Sequence, residues 1–364
     1  MSKKAATRIT ETLTMIDQAP DLTAPLRAQI VALVNTNFPR LTAAEQLAYS
    51  QLSSEMSVKT QIAAGVQKGK SPAREKRRAV YLLWLAIGKA QNNDLAIKPR
   101  AKLAMSMPTT ALDAAFSEVM LKAAVVASAA GAQHVFQELS AHPVRFITQH
   151  RIMVLGLPAG GDRFSTAPNG NYQNVLTFHF QYDVVNDRFE LRGGLSPVLG
   201  ASHAFTTVSV PAVHWTQVPG AGPAPCNFAG VLGCELAGAN FMVTTQFTGC
   251  AFSWTNHGGL LRASHVSPSG GGPGTYPGGG LALAQRMVAT GAMTNANNMA
   301  STVFGGGAGN APVPGGGNSF YPNTVVNMTR WITIFGLIKG GGGWRFYMQV
   351  VDGNLNIREP RRIM

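Results

Sequence analysis

Cysteine is scarce in this chain, with Cys226, Cys234 and Cys250 the only three among 364 residues. Three thiols cannot build a disulfide scaffold, and an odd number leaves at least one outside any bridge. That usage suits a protein that works in a reducing compartment. Acidic residues are few as well, 17 against 30 Lys and Arg, so any partner must accept a formal net charge of +13. No apolar run is long enough to span a bilayer. The opening Met1-Ser2-Lys3-Lys4-Ala5-Ala6-Thr7-Arg8-Ile9-Thr10 has no apolar h-region, so no secretory signal peptide is expected. There is no Gly-x-Ser-x-Gly nucleophile elbow. Cys226 and Cys234 with His203 or His214 match no common zinc spacing, so neither a metal nor a cofactor is expected.

What is present is a chain of two compositions. Hydrophobic residues make up 45%, enough for sizeable cores in two domains. Residues 1–150 hold 18 Lys and Arg against 10 Asp and Glu and little glycine; beyond them Lys339 is the only lysine, and glycine and β-formers concentrate. The first part predicts helices over roughly 5–17, 22–36, 42–66, 72–91 and 109–140. Ser71-Pro72 reads as an N-cap followed by proline at the first helical position. The small apolar stretch 111–130 reads as the buried helix of a bundle.

From Arg151 onward the pattern is strand and turn. Residues 175–182 and 188–192, joined through Asn186-Asp187, predict a hairpin; 206–213, 240–247, 324–338 and 344–351 predict further strands. Many short strands at this spacing argue for a sandwich or closed sheet. The expected architecture is therefore α+β, with a helical basic docking region over residues 1–145 and a β-sandwich domain with peripheral helices and glycine-rich loops over 146–364. The glycine-rich stretches 269–280 and 305–317 are linker-like and read either as loops bordering an active site or as plain flexible connections.

The chemistry concentrates in one hairpin. Cys250 and His265 lie fifteen residues apart, on strand-like runs that flank Asn256-His257-Gly258-Gly259. A turn centred between His257 and Gly258 pairs residues whose numbers sum to 515, which sets Cys250 directly opposite His265. Opposed residues share a face with Cβ atoms about 4.5–5.5 Å apart, close enough for an imidazole to activate a thiol as a thiolate–imidazolium pair. Gly249, just before the cysteine, permits close backbone approach. A register slip of one residue would put the two side chains on opposite faces. A cysteine beside a histidine can equally be plain packing.

Phe247-Thr248-Gly249-Cys250 followed by His265 resembles the Leu-Ser-Gly-Cys…His arrangement of bacterial toxin glutamine deamidases, the catalytic domains of the cytotoxic necrotizing factors and Burkholderia lethal factor. The resemblance implies a β-sandwich in which Cys250 attacks the side-chain amide of a glutamine in a host protein, often a Rho-type GTPase. His265 is then the base, and Thr248 and Gly249 support the motif and the oxyanion. It also implies a monomeric effector, exported without a signal peptide and acting in the host cytoplasm. The family's orienting element for the histidine is largely a main-chain carbonyl, which sequence does not locate. A Cys–His protease or transglutaminase uses the same pair.

Charge supplies a different reading. Lys68, Lys70, Arg74, Lys76, Arg77 and Arg78 cluster within eleven residues, a pattern that attracts an acidic partner, an anionic membrane or nucleic acid. It is also the pattern of a solvated helix face. A basic helical arm ahead of a glycine-rich β domain would equally suit a structural coat or capsid-like protein that assembles without using Cys250.

Overall fold

Among the described residues, helices fill the chain as far as Gln149 and strands follow from Ile152. The structure is a computed structural model, and it describes residues 3–52, 72–155, 175–194, 204–210, 212–214, 234–244, 250–257, 260–267, 277, 302–305 and 329–364. The helices are α1 (Lys3–Asp17), α2 (Ala24–Asn37), α3 (Ala43–Gln51), α4 (Pro72–Ala90), α5 (Asp94–Ser106), α6 (Thr109–Ala127), α7 (Ala129–Ala141) and α8 (Pro143–Gln149). The fold is α+β, as the two compositions require.

Local signals account for several boundaries. Thr42 and Glu45 close a capping box at α3: the Thr42 amide donates to Glu45 Oε2 at 2.8 Å, and the Glu45 amide donates to Thr42 Oγ1 at 3.2 Å. The helix expected over 109–140 is two helices. Ser128 is extended (φ −166°, ψ 161°), and its hydroxyl accepts from the Gly131 amide at 3.1 Å, so it ends α6 and caps α7. Only glycine fits at 131, because an added Cβ would lie 1.9 Å from the Ala124 carbonyl oxygen. Sequence reading also missed α5, whose Pro99 argues against a helix; Ile97, Ala101 and Ala104, spaced along one face, are buried and hold it.

The chain divides into two compact units, one of residues 1–137 with 180–188 and one of 138–179 with 189–364. The first unit is a helical bundle in which α6 buries Leu112, Phe116, Val119, Met120, Ala123 and Ala124. It also contains the turn of the expected hairpin of β2 (Val175–Asp183) and β3 (Arg188–Gly193).

The second unit holds two sheets. Eight strands form a curled mixed sheet in the order β1-β3-β2-β4-β7-β11-β12-β13. Here β1 is Ile152–Leu155, β4 Phe205–Val210, β7 Phe241–Thr244, β11 Thr329–Ile338, β12 Trp344–Asp352 and β13 Ile357–Arg362. The smaller sheet runs β10-β8-β9-β5, with β6 (Cys234–Glu235) also on β9. In it β5 is Ala212–His214, β8 Ala251–His257, β9 Leu260–Ser267 and β10 Thr302–Gly305. One buried cluster joins the two sheets face to face: Val208, Val210, Met242, Ile332, Ile334 and Phe346 from the larger, and Cys234, Phe252, Trp254 and Ala263 from the smaller. The chain passes from one sheet to the other between Val210 and Ala212, so β4, β7 and β9 meet at one corner of this sandwich. On the opposite face of the large sheet, the buried Gln349 amide donates to the carbonyls of Ile147 (2.5 Å) and His150 (2.7 Å) and accepts from the Ile152 amide at 2.8 Å. Those bonds fix α8 and the start of β1.

Candidate active site

Strands β8 and β9 form the expected antiparallel hairpin, but its pairs sum to 517: Ala251 with Val266, Phe252 with His265, Trp254 with Ala263, His257 with Leu260. The directly opposed Cys250–His265 pair expected from the sequence is therefore corrected. Strand β8 continues through Asn256 and His257, where the sequence predicts the connector, leaving Gly258 and Gly259 between the closing pair. The shift is two residues, so parity survives. Cys250 precedes the Ala251–Val266 pair that ends the ladder; by alternation it stands two residues before Phe252 on the face of His265, diagonal to it at about 7 Å between backbones. Thr248 and Gly249 lie outside the described residues.

That shared face looks into the sandwich. Phe252, Trp254 and Ala263 belong to the inter-sheet core, and Cys250 packs against it while remaining only half-buried. Phe252 and Trp254 pack their rings against Phe346 of β12, with centroids 5.7 and 5.2 Å away. On the outer face of the same strands, Ser253 opposes Ser264 and Thr255 opposes Arg262, whose guanidinium pairs with Glu235 at 3.1 Å.

His265 is fully enclosed, 1% exposed. Its Nδ1 lies 2.9 Å from the hydroxyl of Thr244 on β7, and that hydroxyl donates to the Val210 carbonyl of β4 at 2.8 Å. Burial pushes the imidazole pKa down to about 3, so the ring is neutral at pH 7. A neutral imidazole does not match the preformed imidazolium expected from sequence. Sequence reading missed Thr244. Its only signal is a polar residue closing the apolar strand Phe241-Met242-Val243-Thr244, a position where a buried hydroxyl must find partners.

A pH dependence follows. With its folded pKa below the 6.5 of the free group, His265 contributes stability that is fully present above pH 6.5 and is lost as pH falls toward 3. Between pH 6.5 and 5 the wild type should lose about 2 kcal/mol more than His265→Asn, which cannot titrate. Chemical denaturation at the two pH values checks this; equal losses would show the ring to be hydrated.

The other candidates sort differently. Cys234 lies in the inter-sheet core, with its Sγ directed at main-chain carbonyls of Glu235 (3.6 Å) and Ser209 (3.8 Å), and Cys226 lies outside the described residues. No group of three or more His, Cys, Asp and Glu gathers among the described residues, and no described helix is long and apolar enough to cross a membrane. Trp254 and Trp331 are buried aromatics. Where the basic cluster is described, Arg78 is buried and Arg74, Lys76 and Arg77 are half-buried. Arg78 pairs with Glu75 at 2.6 Å, Lys76 pairs with Asp113, and Arg77 donates to the Met107 carbonyl at 2.7 Å. Lys68 and Lys70 lie outside the described residues, as does nearly all of 269–280 and 305–317.

A scan against protein-family models finds no match, and a search of curated proteins finds none either.

Proposed function

We propose that this protein is a Cys–His hydrolase of carboxamides, with Cys250 as nucleophile and His265 as base. The observation that carries the reading is the shared inward face of the β8–β9 hairpin. It sets a half-buried thiol on the diagonal of an imidazole whose Nδ1 is already engaged by Thr244. In the reaction Sγ attacks the amide carbon as His265 Nε2 takes the thiol proton. The proton passes to the departing nitrogen, ammonia leaves, and a thioester remains. Water then attacks the thioester with His265 again as base, releasing the carboxylate and restoring the thiol. A neutral ring has the lone pair that a base needs, while the burial that holds its pKa down to about 3 weakens it as a base at pH 7. Of the two residues Cys250 is the less buried, as the one that must meet the substrate has to be.

The choice of glutamine comes from the resemblance of residues 247–250 and His265 to the toxin deamidases. A small GTPase of a host cell is therefore the first substrate to examine. The test is incubation of the full chain with a Rho-type GTPase, followed by intact mass and ammonia assay. The expected result is conversion of one glutamine to glutamate with equimolar ammonia and no chain cleavage. Cut peptide bonds would replace the deamidase assignment by a protease, and incorporation of an added amine would indicate a transglutaminase. No modification of any amide substrate, together with unchanged Cys250 chemistry in His265→Asn, would end the enzymatic reading.

A further inference from the structure

We propose that Thr244 is a positioning residue that holds His265 as its Nδ1–H tautomer, leaving Nε2 as the nitrogen that takes the Cys250 proton. The inference rests on the nucleophile–base reading above and adds to it the element that orients the base. The Thr244 hydroxyl sits 2.8 Å from the Val210 carbonyl oxygen and 2.9 Å from His265 Nδ1. A carbonyl only accepts, so the single hydroxyl hydrogen is directed to Val210. The hydroxyl oxygen keeps lone pairs toward the ring, and the imidazole must supply the hydrogen of the second bond. A neutral imidazole carries one N–H, so a hydrogen on Nδ1 leaves Nε2 as the proton acceptor.

The frame holding this relay is stiff. Thr244 and Val210 are paired neighbours on the parallel strands β7 and β4, His265 lies on β9, and all three residues are buried. Thr244 is β-branched, which limits its χ1 choices and keeps the hydroxyl in place. One hydroxyl thus bridges the two sheets, and the same bridge selects the tautomer. A main-chain carbonyl could accept from Nδ1 directly; here the carbonyl acts through a side chain, which makes the arrangement open to substitution.

The experiment compares wild type, Thr244→Val and Thr244→Ser in the full chain. Long-range proton–nitrogen correlation on ¹⁵N-labelled protein reads the tautomer. Wild type and Thr244→Ser should show protonated Nδ1 and bare Nε2 at His265, whereas Thr244→Val, similar in shape but without the hydroxyl, should lose that preference. Alkylation of Cys250 by iodoacetamide at neutral pH should be roughly tenfold slower in Thr244→Val and recover in Thr244→Ser. Loss of a bond that only held the sheets together would lower stability without moving the tautomer. A wild-type ring protonated on Nε2, or a tautomer indifferent to Thr244→Val, overturns the proposal, and the wild-type spectrum decides it even if the valine variant does not fold. Alkylation indifferent to His265→Asn, with the tautomer still following Thr244, would instead overturn the nucleophile–base reading.

Discussion

Cys250→Ala should lower amide turnover by at least about 10⁴-fold, and His265→Asn by about 10²–10⁴-fold, with the double variant no worse than Cys250→Ala alone. The non-additivity is the informative part. A nucleophile and its base act as one unit, so removing the second member costs little once the first is gone. Asparagine is preferred to alanine at 265 because its short amide can still meet the Thr244 hydroxyl, which isolates proton transfer from the cross-sheet tie. Cys250 faces a core of Phe252, Trp254 and Phe346, so alanine there removes one sulfur from a half-buried position and should cost little stability. The check is kcat and KM on an amide substrate alongside a thermal melt. Full turnover in Cys250→Ala would sink the catalytic assignment, and additive losses would mean that the two residues act at separate steps.

How much of this was legible in the sequence depends on which forces set each feature. The same-face placement of Cys250 and His265 follows from alternation around a glycine-rich connector, which is local information. The register is less local. It moved by two residues because Asn256 and His257 continue the strands, and only the pairing of β8 with β9 decides where a connector begins. Parity protected the inference, since a shift of one would have separated the side chains. Thr244 lay beyond reach, 21 residues upstream on a strand of the other sheet, brought to His265 by the way β4 and β5 cross between sheets. The same limit applies to charge. Arg74 to Arg78 read as a basic patch, yet Glu75, Glu11 and Asp113 take up Arg78 and Lys76 once the helices pack. Pro99 concealed α5 because local propensity opposed what tertiary burial of Ile97, Ala101 and Ala104 supports.

Lys122→Met should destabilise the helical unit by about 3 kcal/mol or more, the usual cost of removing one partner from a buried ion pair. Lys122 lies on the apolar helix α6 and is 3% exposed, so sequence alone marks it only as an anomaly. Its ammonium pairs with Glu118 and lies 2.7 Å from Asp187 Oδ1, between the rings of Trp84 (5.1 Å) and Tyr182 (5.5 Å). The Tyr182 hydroxyl donates to the same carboxylate at 2.5 Å, and Arg100 stands 4.0 Å away. Burial alone would raise the Asp187 pKa, but the charge and hydrogen bond of Lys122 outweigh it and hold the carboxyl well below the ordinary range. Asp187 therefore contributes stability that is present above its unfolded pKa and is lost as pH falls through the folded one. Methionine keeps the stem of Lys122 and its contact with the rings, so the loss measures the missing charge and not a cavity. Adding Asp187→Asn should recover part of the loss, because the stranded carboxylate is then gone. Urea titrations of the two single variants and the double variant form the cycle. A Lys122→Met cost within experimental error, or a double variant as unstable as the sum of the singles, would show that the aromatic contacts hold this hairpin turn without the ion pair.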